Sequence, residues 1–283
     1  MSGYLRPSNL GEALAALAAG MAEGRPRVVV AGATDHYPAR VGRVVDEEIL
    51  DVSGLGGPRE IGEVDGGWWI PAAATWTDLA ELPLPACFDG FKRAARAIGG
   101  LQVQNRGTIV GNLCNASPAA DGIPNLLVLD ALAELASVRG TRRVPVAAYV
   151  TGNRSTVRAA DELVTGLFVP DPAGIATSTF LKLGARAYLV ISIAMVAAVL
   201  VRDARGRIAS ARIAVGACSA VARRMTALEG QLAGRRLEPG IGGTVRPEHL
   251  AGLTPIDDVR GSAAYRLGAA EILVRRALEE LAS

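Results

Sequence analysis

Residues 104–121 read QNRGTIVGNLCNASPAAD, and with VVVAGATD at residues 28–35 they decide how the rest of the chain is read. Both stretches place glycine among small hydroxyl and amide side chains, with little bulk. Residues 27–31 form a short β-branched run, expected as a buried strand that ends on Gly32, Ala33, Thr34 and Asp35. A strand ending this way can aim several backbone N–H groups at one point, and amide dipoles so arranged bind phosphate without a lysine. Glycine lets the backbone approach the anion and take positive φ. The second stretch adds Thr108, Asn112, Asn115 and Ser117, small hydrogen-bonding groups of the kind a polar cofactor tail requires. It lacks GxGxxG and GxxxxGK[ST], so neither a Rossmann site nor a P-loop is indicated. Taken singly each motif says little, because strand-to-turn connections ending in glycine are common.

Working outward, 283 residues are enough for two domains, and with half of them apolar a packed core is expected rather than disorder. Thirty basic residues face 28 acidic ones, a net charge of +2, and aromatics are 4 % of the chain. That balance argues against a nucleic-acid surface, and clusters such as Arg223-Arg224 read as solvated. Cys87, Cys114 and Cys218 are far apart, and His36 and His249 are the two histidines. No spacing here suits zinc or an iron–sulfur cluster, and the sparse cysteines suit a reducing compartment. No secretory signal is read at the N-terminus, and the most apolar run, 187–201, is short for a membrane span. A cytoplasmic protein is expected.

Along the chain, Ser8 is expected to cap a helix over 9–21, and strands are expected at 48–52 and 68–72, the latter before a helix start at Thr75-Trp76-Thr77-Asp78. A helix over 91–98 stops at Gly99-Gly100, and a long functional loop is expected over 102–124. Residues 162–169 read as a strand, and 171–179 as a linker. Beyond it, apolar strands at 190–201 and 207–216 flank an Asp203–Gly206 turn, a helix covers 223–232, and a last helix carries Leu267, Ala270, Val274, Ala277, Leu278 and Leu281 on one face. The domain boundary falls near 170–178.

Together the two stretches resemble the AGGxS/T and TIGGx motifs of the flavin-carrying medium subunits of molybdenum hydroxylases, the xanthine and carbon monoxide dehydrogenase type. NASPAAD resembles the tract after the second motif, and the similarity continues through 162–170 and Phe180-Leu181-Lys182. It reaches Asp258-Val259-Arg260-Gly261-Ser262-Ala263-Ala264-Tyr265-Arg266, which looks like that family's D-x-R-x-S-x-x-Y-R signature. The resemblance implies an α+β fold, with a vanillyl-alcohol-oxidase-type FAD-binding domain of two subdomains over 1–174 and a smaller α+β C-terminal domain over 175–283. It implies an oxidoreductase subunit that holds FAD. The molybdenum cofactor would lie on a large partner subunit and [2Fe–2S] clusters on a small one, with NAD or another molecule as acceptor. No catalytic or metal-ligating residue is expected in this chain.

The cofactor-binding residues then expected are Val29, Val30, Ala31, Gly32, Ala33, Thr34, Asp35 and His36; Ile98; Thr108, Ile109, Val110, Gly111, Asn112, Asn115, Ser117 and Asp121; and Val164 and Lys182. The resemblance puts the diphosphate between 32–35 and 108–112, Asn115 and Ser117 toward the nucleotide end, and Val164 and Lys182 near the ring system. Ala33 and Val110 stand where the family has glycine, and Gln104 where many relatives have arginine. A Cβ at Ala33 or Val110 is tolerable if φ stays negative, which leaves the steric demand on Gly32 and Gly111. Blander readings stand beside these: Asp121 as a helix cap, Lys182 as a solvated lysine, His36 as a surface loop residue, Cys114 as an inert buried thiol, and Trp68 and Trp69 as one core and one surface position. Two other functions are compatible with the sequence, a self-contained flavoprotein reductase or oxidase of the same superfamily and a scaffold subunit that has lost FAD.

Overall fold

A computed structural model describes residues 3–42, 46–57 and 59–283. The strand Val28–Val30 is the edge of a parallel three-stranded sheet with Ile49–Asp51 at its centre and Tyr4–Leu5 beyond. The helix Leu10–Ala22 covers it, placing Ala13 and Leu17 against Leu50 and Leu163. Its cap is Asn9, whose side chain accepts from the Glu12 N–H, and not Ser8, whose N–H and hydroxyl both bind the Glu12 carboxylate. The backbone at Asn9 is extended, as a residue in the capping position requires.

A five-stranded antiparallel sheet follows, in the order Gly62–Val64, Gly67–Pro71, Leu163–Pro170, Leu132–Ser137, Gly140–Pro145. The stretch 102–124 is not one long loop. It holds short helices at Leu101–Gln104, Ile109–Asn115 and the start of Gly122–Val128. The supposed linker is largely strand, since Ile175–Leu183 opens the next sheet directly after Asp171 to Gly174. Trp68 and Trp69 are both half-buried, correcting the expectation of one inside and one outside. Trp68 meets Phe88 edge-on, and Trp69 lies beneath the Arg143 guanidinium.

The last sheet orders Ile175–Leu183, Ala194–Arg202, Ile208–Gly216 and Arg223–Arg224, all antiparallel. Its central strand explains the long apolar run. Met195, Ala197, Val199 and Val201 point into one core, with the helices Asp89–Ala97 and Gly122–Val128, while Ala194, Val196, Ala198 and Leu200 point into another beneath Ala263–Ala282. A strand covered on both faces alternates between two cores and reads as continuously apolar. The strand begins at Ala194 rather than at residue 190, and the helix after Arg224 begins at Thr226 because Arg223–Arg224 pairs with Ala214 and Val215. Close approach locks the two halves together. The Gly90 N–H donates to Ser178 Oγ at 2.9 Å, and a Cβ on Gly90 would lie 2.7 Å from the Thr179 backbone.

Candidate cofactor site

The ends of these elements enclose a cleft of about 1200 Å³, and of the nineteen residues expected to bind a cofactor all but Ile109 line it. Ile109 is fully buried in the core instead, because the N-terminal turn of its helix points it away from the cleft. The volume exceeds that of a typical drug-sized pocket, as an extended dinucleotide would need.

The first loop leaves the strand at Val30. From Gly32 to His36, no backbone N–H donates to a backbone carbonyl among the described residues. The second loop is held by Thr108. Its two chain neighbours bridge to the start of the helix Trp76–Glu81, Ile109 N–H to Ala74 O at 3.1 Å and Trp76 N–H to Gly107 O at 3.2 Å, while its hydroxyl accepts the Gly111 N–H at 2.9 Å. The Thr108 and Val110 N–H groups donate to no backbone carbonyl among the described residues. Backbone donors left open beside one cleft are the partners an oxyanion needs, since a buried N–H without an acceptor is costly.

The two loops touch at one point, and there the reason for glycine is packing between backbones. A Cβ on Gly32 would lie 1.8 Å from the Arg106 carbonyl oxygen, whereas one on Gly111 would meet a side chain of its own loop, Thr108 Oγ1, at 2.7 Å. Ala33 departs from expectation, for its φ is +56°, in the left-handed region. The residue where the family has glycine keeps the glycine-like conformation and carries the strain of its Cβ. Val110 is different. It lies in a helix, 5 % exposed, and packs into the core with Leu113 and Trp76.

Asp121 occupies the capping position of Gly122–Val128, yet its side chain makes no capping bond. It reaches Lys182 Nζ at 2.6 Å and accepts from the Ser192 hydroxyl. Both charged side chains are buried, 5 % and 11 % exposed, so Lys182 is not a solvated lysine. Burial pushes the Asp121 carboxyl above its ordinary range, and the Lys182 ammonium and Ser192 hydroxyl pull against that. Val164 lines the same cleft, at an irregularity in the sheet between Val164 and Gly166, a bulge of the sort that re-aims side chains near sites. Ile98 closes the same end, and its carbonyl is held by Gln104 Nε2 at 2.9 Å. Gln104 therefore satisfies a helix terminus outside the cleft.

Along the same wall, Asn112 Oδ1 accepts the Gly122 N–H at 3.2 Å, next to Asp121, and Ser117 Oγ accepts the Ala119 N–H at 3.3 Å. Asn115 and Asp35 share Arg154. His36 is inside rather than on the surface. Burial pushes its imidazole below the ordinary value, Arg40 adds to this and Glu47 opposes it, so it is neutral at pH 7. Cys114 meets Tyr149 Oη at 3.4 Å, and burial pushes its thiol above the ordinary range.

Sequence reading missed Arg154, Arg158 and Ser192, which have no local motif around them. It found the C-terminal signature without its purpose. Asp258 binds Arg260 Nη1 at 2.8 Å and Arg266 Nη2 at 2.6 Å, and Arg266 Nη1 reaches the Ile193 carbonyl at 2.7 Å. The signature thus fastens the last helix to the strands at the cleft edge. Among the described residues, no group of three His, Cys, Asp or Glu side chains could hold a metal, and no helix is long and apolar enough to cross a membrane.

An α+β chain with an amide-lined cleft between two glycine-bearing loops belongs to the class of FAD-binding flavoprotein folds. Residues 1–172 match the family model described as the FAD binding domain in molybdopterin dehydrogenase, and residues 179–281 match the carbon monoxide dehydrogenase flavoprotein C-terminal domain. The chain belongs to this family of oxidoreductase flavin subunits. It is 30 % identical to the nicotine 6-hydroxylase medium subunit of Paenarthrobacter nicotinovorans, over 89 % of this chain and 88 % of that one. It is 29 % identical to the glyceraldehyde dehydrogenase medium chain of Sulfolobus acidocaldarius, over 99 % and 98 %. In structure it is similar to carbon monoxide dehydrogenase from Hydrogenophaga pseudoflava, with a TM-score of 0.88, 27 % identity, and 98 % and 96 % of the two chains covered.

Proposed function

We propose that this chain is the electron-transfer subunit of a multi-subunit molybdenum hydroxylase, in which it takes electrons from iron–sulfur clusters of a small partner and passes them to NAD or another acceptor. The observation that carries the reading is the pair of interlocked loops whose open N–H groups line one cleft together with the buried Lys182–Asp121 pair. FAD, when bound there, supplies the redox chemistry; the protein supplies binding, orientation and electrostatics. Gly32 to Asp35 and Thr108 to Asn112 would cradle the diphosphate with backbone N–H groups. Asn115 and Ser117 would line the nucleotide end, and Val164, Ile98 and the Lys182–Asp121 pair would bound the ring end.

The residues fit this group. A flavin-free scaffold reading would rest on Ala33 and Val110; of these Val110 is packed into the core, and Ala33 keeps the left-handed backbone of the glycine it stands for. The FAD-binding domain would span 1–174 and the C-terminal domain 175–283, a division supported by the strand end at Pro170 and the new sheet starting at Ile175. A large molybdenum-cofactor subunit and a small iron–sulfur subunit would complete the assembly, in the cytoplasm. Relatives named for nicotine and glyceraldehyde share this subunit, which agrees with substrate choice residing on another chain.

The test is twofold. The purified full chain should take up one FAD with an absorption band at roughly 450 nm. Co-expressed with its neighbouring subunits, that band should bleach when the complex meets its organic substrate under exclusion of air. A folded chain that takes up no flavin, or turnover of an organic substrate by the chain alone, would overturn the proposal.

A further inference from the structure

One side chain joins the two walls of the cleft at its nucleotide end. The hairpin of strands Val150–Gly152 and Ser155–Thr156 carries Arg154 at its tip. From there Arg154 Nη1 donates to Asp35 Oδ2 of the first loop at 2.9 Å and to Asn115 Oδ1 at the end of the helix that follows the second loop. The hairpin is anchored independently of this contact, because the Arg154 N–H donates to the Ala116 carbonyl at 2.9 Å. Arg154 and Ala116 both adopt left-handed backbone, with φ of +53° and +48°. Non-glycine residues held in that region are strained, and strain of this kind persists where surrounding structure over-determines a clamp. All four residues concerned border the cleft except Ala116, which is buried beneath it.

We infer that Arg154 is a positioning residue, a strap that holds the first loop against the second and so governs how long a dinucleotide stays in the cleft; this rests on the placement of FAD proposed above. Three features point this way. Among the described residues the contact with Arg154 is the hydrogen bond that ties the first loop across the cleft, since the loop's other hydrogen bonds, Ala39 N–H to Asp35 O at 3.2 Å and Arg40 Nη1 to His36 O at 3.0 Å, are local. The Arg154–Asp35 pair is half exposed, 51 % and 55 %, so it belongs to the class of ion pairs that are weak and salt-sensitive and can open to admit a ligand. Finally, a guanidinium keeps its charge at every relevant pH, and its Nη1 alone donates to both acceptors, so one side chain ties the two walls.

The experiment measures FAD release from the full chain by recovery of flavin fluorescence on dilution, with melting of the flavin-free chain as a control for folding. Arg154→Ala should speed release roughly three- to fivefold, the range open to an exposed ion pair. Asp35→Asn should do the same, and the double variant should be no faster than either single one. Arg154→Lys should recover part of the effect, and raising salt should speed release from the wild type but not from Arg154→Ala. Unchanged release in Arg154→Ala, or additive effects in the double variant, overturns the strap. Slower release in Asp35→Asn with faster release in Arg154→Ala also overturns it, since Arg154 would then bind the phosphates itself. A wild-type chain that takes up no FAD overturns the functional proposal as well, whereas a wild type that binds normally beside an indifferent Arg154→Ala overturns the strap alone.

Discussion

Replacing Gly32 by alanine tests the cradle at its narrowest point. The added Cβ would stand 1.8 Å from the Arg106 carbonyl oxygen, 2.6 Å from the Arg106 carbonyl carbon and 3.0 Å from Gly107 Cα. These are backbone atoms, so no side chain can rotate out of the way. One loop must retreat by more than an ångström, because non-bonded carbon contacts become favourable only at about 3.5–4.0 Å. Overpacking of this kind costs about 1–3 kcal/mol of stability. The larger effect is expected on the ligand. Once the loops part, the N–H groups of Gly32 to His36 and of Thr108 and Val110 no longer bound one narrow space, and every 1.4 kcal/mol of lost interaction weakens binding about tenfold. We expect Gly32→Ala to fold with a lowered melting temperature and to bind FAD at least ten times more weakly by titration of flavin fluorescence. The neighbouring substitution Ala33→Gly is the internal control. It removes a Cβ from a residue at φ +56° and should retain FAD with stability equal to or slightly above the wild type. Wild-type flavin affinity in Gly32→Ala, or loss of flavin in Ala33→Gly, would refute the reasoning.

Further outcomes follow from the same geometry. Gly111→Val brings a branched side chain to the Thr108 hydroxyl, 2.7 Å from where its Cβ begins, and should break the Thr108 cap at about 1 kcal/mol while expelling FAD; a flavin-replete Gly111→Val protein would show that the second loop does not form the cradle. Lys182→Met leaves the Asp121 carboxylate buried without its partner and should cost about 3–5 kcal/mol in chemical denaturation, whereas Lys182→Met with Asp121→Asn should regain much of it; equal losses in both variants would mean the pair is not coupled. Acid should destabilise the chain through Asp161 and Glu162, whose carboxyls are held below the ordinary range chiefly by hydrogen bonds from Arg139 and Arg142. Because their folded values are lowered, the stability they contribute is present above about pH 4 and is lost as pH falls through the lowered values. Arg139→Gln with Arg142→Gln should flatten that part of the pH–stability curve, and an unchanged slope would assign acid lability elsewhere.

What the sequence made legible follows a physical line. The strands at Val28–Val30, Leu163–Pro170 and Ile208–Gly216 are short apolar runs bounded by Gly, Pro or Asp, and such runs announce themselves locally. The stretch 102–124 did not announce its helices, because pieces of four to seven residues are too short to show helical periodicity, and Gly and Asn within two of them, with Pro in one, lower the propensity. They exist because Thr108 caps one of them and because Trp76, some thirty residues earlier, packs beneath them. The polar segment before Phe180 became strand for a similar reason. Pairing with Ala194–Arg202 outweighs composition, and Ser178 and Thr179 are buried by the helix that docks on them. The partners of Asp121 lie 61 and 71 residues away, and those of Arg154 up to 119. No spacing rule reaches that far, so the motifs could mark the cleft but not its ion pair or its strap.

The position of Lys182 bears on how the site is assembled. It stands on Ile175–Leu183, the first strand of the C-terminal sheet, while Asp121 precedes a helix in the flavin-domain half, and Ser192 lies just before the next C-terminal strand. The end of the cleft proposed for the ring therefore forms only when the two halves are docked. The same docking buries Gly90 against Thr179 and sends Met195, Ala197, Val199 and Val201 into the first core. An ionised Asp121 without Lys182 would be a buried, uncompensated charge, so a flavin-domain half folded alone carries a penalty exactly where the cofactor ring would lie. The nucleotide end is different, since Gly32, Thr108, Asn115 and Arg154 all come from the first half. Destabilisation centred on the C-terminal helix, as by Leu278→Ala at a fully buried position at about 2–5 kcal/mol, should thus loosen the end proposed for the ring first. Flavin would remain bound but lose its protection, with fluorescence quenchers reaching the ring before any FAD is released. Release that precedes quencher access would show that the halves do not share the site in this way.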